Sequence, residues 1–145
     1  MVRVRASEAI EEAQRSRRSV ALLVFDLNGF KEVNDSLGHQ VGDQLLKAFS
    51  SPARASIRAE DTFARIGGDE FVLLLPSTVD RVAATLVGAK LLASIGEPLD
   101  VGGVTLTIRA SMGVAVSPGD GHDYESLFAH ADAAMYAMKR LSASL

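Results

Sequence analysis

Arg65-Ile66-Gly67-Gly68-Asp69-Glu70-Phe71-Val72 is the stretch on which the reading of this chain turns. Phe63 and Ile66 precede the glycine pair, and an apolar run from Phe71 to Leu75 follows it. A Gly-Gly step between β-favouring runs predicts a hairpin, because tight turns need positive φ and glycine adopts it without steric cost. The two acids are harder to assign to folding. Aspartate is depleted in strands, and a carboxylate beside a buried run is costly without a partner. Two readings stand: a solvated turn with an acidic edge, or a hairpin tip that holds metal with a second carboxylate from elsewhere.

Upstream, residues 20–25 form a continuous apolar run, as expected of a strand buried on both faces, and the run ends at Asp26. Alone, Asp26 reads as a polar strand end. Set beside Asp69 at the end of a neighbouring strand, it completes a pair able to hold hard divalent ions, since Mg²⁺ takes one or two carboxylates plus phosphate oxygens. The loop after Asp26 leads into a short helix expected over residues 29–37, whose free N–H groups suit phosphate. No Gly-x-x-x-x-Gly-Lys-Ser/Thr stretch is present, so this is not a P-loop.

The remaining segments alternate without strict βαβ order. A helix is expected over residues 6–18, with acids early and arginines late. Residues 38–42 read as a break, after which Asp43 caps a helix with Leu45, Leu46 and Phe49 on one face. Pro52 should kink or restart that helix, which resumes over 57–60. The strand after the hairpin ends at Pro76. A helix follows over 77–95, with Val82, Leu86 and Ala89 inward and Gly96 as its stop. A second hairpin turns at Gly102-Gly103 between residues 99–101 and 104–109. A short strand covers 114–116, and Asp123 caps a last helix to about Arg140. Its stripe of Tyr124, Leu127, Ala131, Met135 and Met138 reads as core. The order is α+β.

At 145 residues the chain has the length of one domain. A formal charge of -3 argues against a nucleic-acid surface, and an acidic protein that binds polyphosphate must recruit cations. There is no cysteine, hence no disulfide or thiolate site. No run is long enough for a membrane span and no secretory signal is visible, so the cytoplasm is the simplest location.

Gly67-Gly68-Asp69-Glu70-Phe71 resembles the signature of the GGDEF family, the bacterial diguanylate cyclases, and further motifs follow the family's order along almost the whole chain. The stretch from Asp26 to Asp35, followed by Gly38-His39-Gln40-Val41-Gly42-Asp43, is similar to the family's first motif. Ala131-Asp132-Ala133-Ala134-Met135-Tyr136-Ala137-Met138-Lys139 is similar to its last. The resemblance implies a mainly antiparallel five-stranded central sheet flanked by helices, like the polymerase palm and the class III nucleotidyl cyclases. It implies one domain over residues 1–145, a fragment of a larger multidomain regulator, since the family's usual opening turn is absent.

By motif position, Asp26, the Leu27 carbonyl and Asp69 are the implied ligands of two Mg²⁺ or Mn²⁺ ions per GTP. Asp69 is also the implied base, with Lys31 and Glu70 beside it in the catalytic set. Asn34 and Asp43, with His39 and Phe30 nearby, are the implied guanine contacts, and Lys139 the phosphate contact. Arg58-Ala59-Glu60-Asp61 matches the family's inhibitory Arg-x-x-Asp site for product. Two positions depart from the pattern: Asn28 replaces the more usual Asp, and Ser142-Ala143-Ser144 stands where Gly-Arg-Asn is usual, removing one phosphate clamp. The implied activity is condensation of two GTP to cyclic di-GMP by a homodimer, within a longer protein carrying a sensor or phosphodiesterase domain. A non-catalytic module that binds GTP or cyclic di-GMP is the alternative. An adenylate-type cyclase is disfavoured by the guanine-reading pair.

Overall fold

A strand of nine residues, β1 (Ser19–Leu27), runs through the middle of the molecule with all but its first residue buried. It follows helix α1 (Val2–Ser16) and leads into two successive helices, α2 (Phe30–Leu37) and α3 (His39–Ser56). The hairpin β2 (Thr62–Arg65) and β3 (Glu70–Thr78) comes next, then α4 (Arg81–Ala93), a short ribbon of β4 (Leu99–Val101) and β5 (Val104–Leu106), β6 (Ala110–Ser117) and α5 (Tyr124–Ser144). The computed structural model describes residues 1–95, 98–101 and 103–144, without the side chains of 99 and 142–144. Gly96 and Gly102, expected as a helix stop and a turn residue, and the side chains at 142–144, lie outside the described residues.

Among the described residues the main sheet has four antiparallel strands in the order β2-β3-β1-β6, with the β4–β5 ribbon separate. The expected architecture holds; one strand of the expected five belongs to the ribbon instead. Side chains of a strand alternate between faces, and this sorts the core. Ala21, Leu23, Phe25 and Leu27 join Phe71, Leu73 and Leu75 against α2, α3 and α4. Phe25, Phe49, Phe63 and Phe71 pack there with ring centroids 4.8–6.1 Å apart. Val20, Leu22 and Val24 face the other way with Val72, Leu74 and Ala115, under α1 and α5. The same alternation carries Asp26 and Glu70 onto the α1/α5 side of the sheet.

Several local expectations are corrected. Helix α1 begins at Val2, earlier than residue 6, because Val2 and Ala6 are buried on the same stripe as Ile10 and Ala13. Helix α3 starts at His39 after Gly38, so Asp43 is no cap. Gly42 is not a break but a buried helical residue against which the Asn34 amide lies; a Cβ there would collide with it. Pro52 sits inside α3 without ending it, and Ile57 is already extended. Burial of Leu45, Leu46, Phe49 and Ala53 along one face outweighs the roughly 3 kcal/mol that an interior proline costs.

Strand β3 likewise runs on past Pro76 to Thr78, and α4 starts later, capped by Asp80, whose Oδ1 accepts the Ala83 N–H at 2.8 Å. Helix α4 buries Ala84, Gly88 and Leu91, while Val82 and Leu86 are exposed. Small residues set this face, since a Cβ at Gly88 would run into Met112 and Leu23. Strand β6 extends to both sides of the three residues expected, and β5 ends at Leu106.

Candidate nucleotide and metal site

The hairpin tip forms without the glycine conformation that the sequence suggests. Positive φ occurs at Gly29, Gly38 and Gly103, and at neither Gly67 nor Gly68. Residues 66–69 form a wider loop, in which the Ile66 N–H donates to the Glu70 carbonyl at 2.9 Å. Arg65 closes it. Its Nε donates to the carbonyls of Gly67 and Gly68 at 2.9 and 3.1 Å, and one terminal nitrogen to Gly68 at 2.8 Å. The spacing Arg-x-Gly-Gly was the signal for this clamp, and sequence reasoning passed over it.

Behind the loop the elements converge on Asp26. Strand register sets Asp26 opposite Glu70 on one side and Ser111 on the other. The Leu27 N–H donates to the Asp69 carbonyl at 3.0 Å, tying the end of β1 to the loop. The Asn28 N–H donates to the Arg109 carbonyl at 2.8 Å, and the buried Ser111 hydroxyl to Asn28 Oδ1 at 3.1 Å. Asn28, in place of the usual Asp, therefore anchors the loop to β6. From α5, Lys139 Nζ reaches Asp26 Oδ2 at 2.9 Å. Asp26 is only 7% exposed, and its Oδ1 is buried with no hydrogen-bond partner among the described residues.

Four acids crowd this corner. Burial, and then the hydrogen-bonding Asp26 carboxylate, push the Asp69 carboxyl above its ordinary range, with Lys139 pulling back. Burial also raises Glu70, helped by the charges of Asp132, Asp26 and Asp69. The hydrogen bond to Asp26 raises the Lys139 ammonium. Two carboxylates in contact, one with a buried unpaired oxygen, attract a proton or a cation. No group of three or more Asp, Glu or His side chains converges as a metal cage among the described residues. The donor set on offer is Asp26, Asp69 and the neighbouring backbone of Leu27, an all-oxygen set of the kind that Mg²⁺ or Mn²⁺ completes with phosphate.

The other expected residues lie around this corner. Lys31 is exposed in the first turn of α2. Phe30 beside it is 8% exposed and packs in the core, where it anchors α2. Asn34 lies over Gly42, and His39 and Asp43 are exposed one helical turn apart at the start of α3. Asp43 opens onto a cleft of about 290 Å³ shared with Leu46, Lys47, Arg65 and Phe71.

Arg58 and Asp61 are not part of this site. They stand at the opposite end of β3, beside a hollow of about 170 Å³ lined by Leu75, Thr78 and Val79. The Arg58 N–H donates to Asp61 Oδ2 at 3.0 Å and the Asp61 N–H to the Arg58 carbonyl at 3.1 Å, closing a tight turn. The Arg58 side chain is exposed, and burial raises Asp61, partly offset by that N–H.

A family model described as "Diguanylate cyclase, GGDEF domain" matches residues 1–144. The chain is 47% identical over 135 residues to MucR of Pseudomonas aeruginosa, a bifunctional diguanylate cyclase/cyclic di-GMP phosphodiesterase. That match covers 93% of this chain and 20% of MucR. It is 38% identical over 130 residues to the cyclic di-GMP phosphodiesterase NbdA of the same organism, covering 90% of this chain and 16% of NbdA. The chain thus spans a fifth or less of the length of these relatives. The crystal structure of the GGDEF domain of TpbB from Pseudomonas aeruginosa matches at TM-score 0.93 and 34% identity, covering 97% of this chain and 88% of that one.

Proposed function

The chain belongs to the GGDEF domain family, and from that premise we propose that it is a diguanylate cyclase domain condensing two GTP into cyclic di-GMP and two pyrophosphates. The observation that carries the reading is the Asp26–Asp69–Lys139 corner: a buried carboxylate oxygen without a partner, a second carboxylate in contact and an ammonium at 2.9 Å. Asp26, Asp69 and the Leu27 carbonyl would hold two Mg²⁺ or Mn²⁺ ions, which would supply Lewis acidity to the phosphoryl transfer.

The chain's own residues do the rest. Asp69, with its raised proton affinity, takes the proton from the 3′-hydroxyl. The 3′ oxygen bonds to the α-phosphorus as the bond to the pyrophosphate oxygen breaks. Lys31 balances charge at the phosphates, Lys139 holds their terminal end, and Glu70 sustains the negative field around the site. Asp43 selects guanine by accepting from its N1–H and N2–H₂ while Asn34 contacts the base edge, with His39 close by. A symmetric product requires two half-sites facing each other, so the working species is a twofold homodimer. The Arg58–Asp61 turn, remote from the corner, is the site through which cyclic di-GMP restrains its own synthesis.

A second reading is favoured by one position. Ala143 stands where the family usually carries a phosphate-gripping Arg, which suits a non-catalytic module that binds GTP or cyclic di-GMP and controls an attached domain. The test is cyclic di-GMP formation from GTP and Mg²⁺ by the domain fused to a dimerising coiled coil, beside an Asp69→Ala control. Product that disappears in the control supports the cyclase. GTP binding with no product sinks it and leaves the sensing module.

A further inference from the structure

We propose a second ligand site, for a small phosphorylated anion with an apolar body such as a nucleoside monophosphate, in the hollow between α1 and the adjoining ends of β1 and β6. The hollow measures about 460 Å³. That falls in the range of about 300–1,000 Å³ that ligand pockets occupy. It lies at the Ser19 end of β1. Seven residue steps of strand run from Ser19 to Asp26, roughly 23 Å at about 3.3 Å per step, so the hollow is no extension of the nucleotide corner. It is also on the α1 side of the sheet, whereas the Arg58–Asp61 hollow abuts α4.

The lining divides by chemistry. Ile10, Ala13 and Pro118 form an apolar wall, and Arg17, Arg18 and His122 bring positive or protonatable groups to it. No carboxylate is among the described lining residues, although the chain as a whole carries a formal charge of -3. The nearest acid in sequence, Asp123, is committed: its Oδ1 accepts the Ser126 N–H at 2.8 Å and caps α5. Neither guanidinium of Arg17 and Arg18 makes a hydrogen bond or ion pair among the described residues. Arg3, Arg15, Arg54, Arg65 and Arg81 are engaged, whereas Arg5, Arg109 and Arg140 share this lack of a guanidinium partner among the described residues but do not line the hollow.

Arg17 adds an independent sign. It is the one non-glycine at positive φ among the described residues, at φ 57° and ψ 41°. This is the left-handed position after a helix that glycine fills without strain. A cationic residue whose backbone is held in a sparsely populated conformation while it lines a cavity points to a use for its side chain there. The plainer role is to neutralise the C-terminal end of α1, where cations are favourable. That role predicts lost stability and no response to a ligand, so the two are separable.

The test is an amide ¹H–¹⁵N titration of the protein with adenosine 5′-monophosphate, which avoids guanine recognition, beside inorganic phosphate and adenosine. The expected result is saturable shifts at Arg18, Ser19 and His122 with the monophosphate and none with adenosine. Arg17→Ala/Arg18→Ala should weaken the response by about tenfold or more, the scale of a lost charge-assisted contact. Arg18→Gln, which leaves the left-handed residue untouched, carries the same expectation should the double variant fold poorly. Absence of saturable shifts at these amides, equal shifts with adenosine, or shifts unchanged in the variants would overturn the proposal. Inorganic phosphate binding as tightly as the monophosphate would overturn the part assigned to the apolar wall.

Discussion

Replacing Gly113 by alanine is a demanding test of how the candidate site is built. Gly113 lies in β6 opposite Val24 of β1 and directly beneath α5. A Cβ there would fall on the Ala131 carbonyl oxygen and the Met135 backbone nitrogen, with the Ala131 carbonyl carbon only 2.9 Å away. These are backbone atoms, so no side chain can swing aside. The helix must move as a body, and close-packed interiors resist that.

Overpacking of this kind costs about 1–3 kcal/mol. Alanine recovers about 0.4–1 kcal/mol by restricting the unfolded chain. The net loss of roughly 1–2 kcal/mol corresponds to a fall in melting temperature of about 3–8 °C for a domain of this size. The shift also has a functional reading, because α5 carries Lys139 and its 2.9 Å contact with Asp26. Melting followed by circular dichroism, together with GTP affinity by calorimetry, measures both. Gly68→Ala is the control: its φ is not positive and nothing lies within 4 Å of the added carbon, so its melting temperature should stay within about 2 °C. Wild-type melting in Gly113→Ala, or a larger loss in Gly68→Ala, would refute the close-approach argument.

Three further outcomes are expected. Arg65→Ala removes the donors that hold the Gly67 and Gly68 carbonyls; since Arg65 is exposed, stability should change by about 1 kcal/mol or less while the rate of cyclic di-GMP formation falls, and an unchanged rate would show the clamp to be incidental. Burial disfavours the charge on Asp120, but the Val116 N–H and the Arg81 guanidinium outweigh it and hold the carboxyl below its usual range. A lowered folded-state pKa gives stability that is present above the ordinary value of 3.8 and is lost as pH falls through the lower one, so urea midpoints should drop below about pH 4 more steeply in the wild type than in Asp120→Asn. Ala143→Arg should tighten GTP binding by about tenfold or more, the worth of a charge-assisted phosphate contact, and calorimetry showing no gain would remove residue 143 from the phosphate argument.

The strands were legible because unbroken apolar runs are what strands buried on both faces require, and α5 because Asp123 marks its start and Tyr124, Leu127, Ala131 and Met135 its buried face, although Met138 of the expected stripe is exposed. Helix α4 was misread for a physical reason: it is apolar on more than one side, so large Val82 and Leu86 looked like core, while small Ala84 and Gly88 make the close approach. The glycine pair at the hairpin marked the right place and suggested the wrong mechanism, since a side chain, Arg65, shapes the loop that positive φ was expected to shape. Lys139 and Asp26 are 113 residues apart, and no local pattern joins them; only the family motif did. Yet their meeting follows from the fold once the register is known. In β1 the residues facing α5 are Val20, Leu22, Val24 and then Asp26; in β3, Glu70 precedes Val72 and Leu74 on the same face. The alternation that buries the core therefore also aims these carboxylates at the helix that carries Lys139. A one-residue slip between β1 and β3 would reverse a face of the core and dismantle the site in the same step.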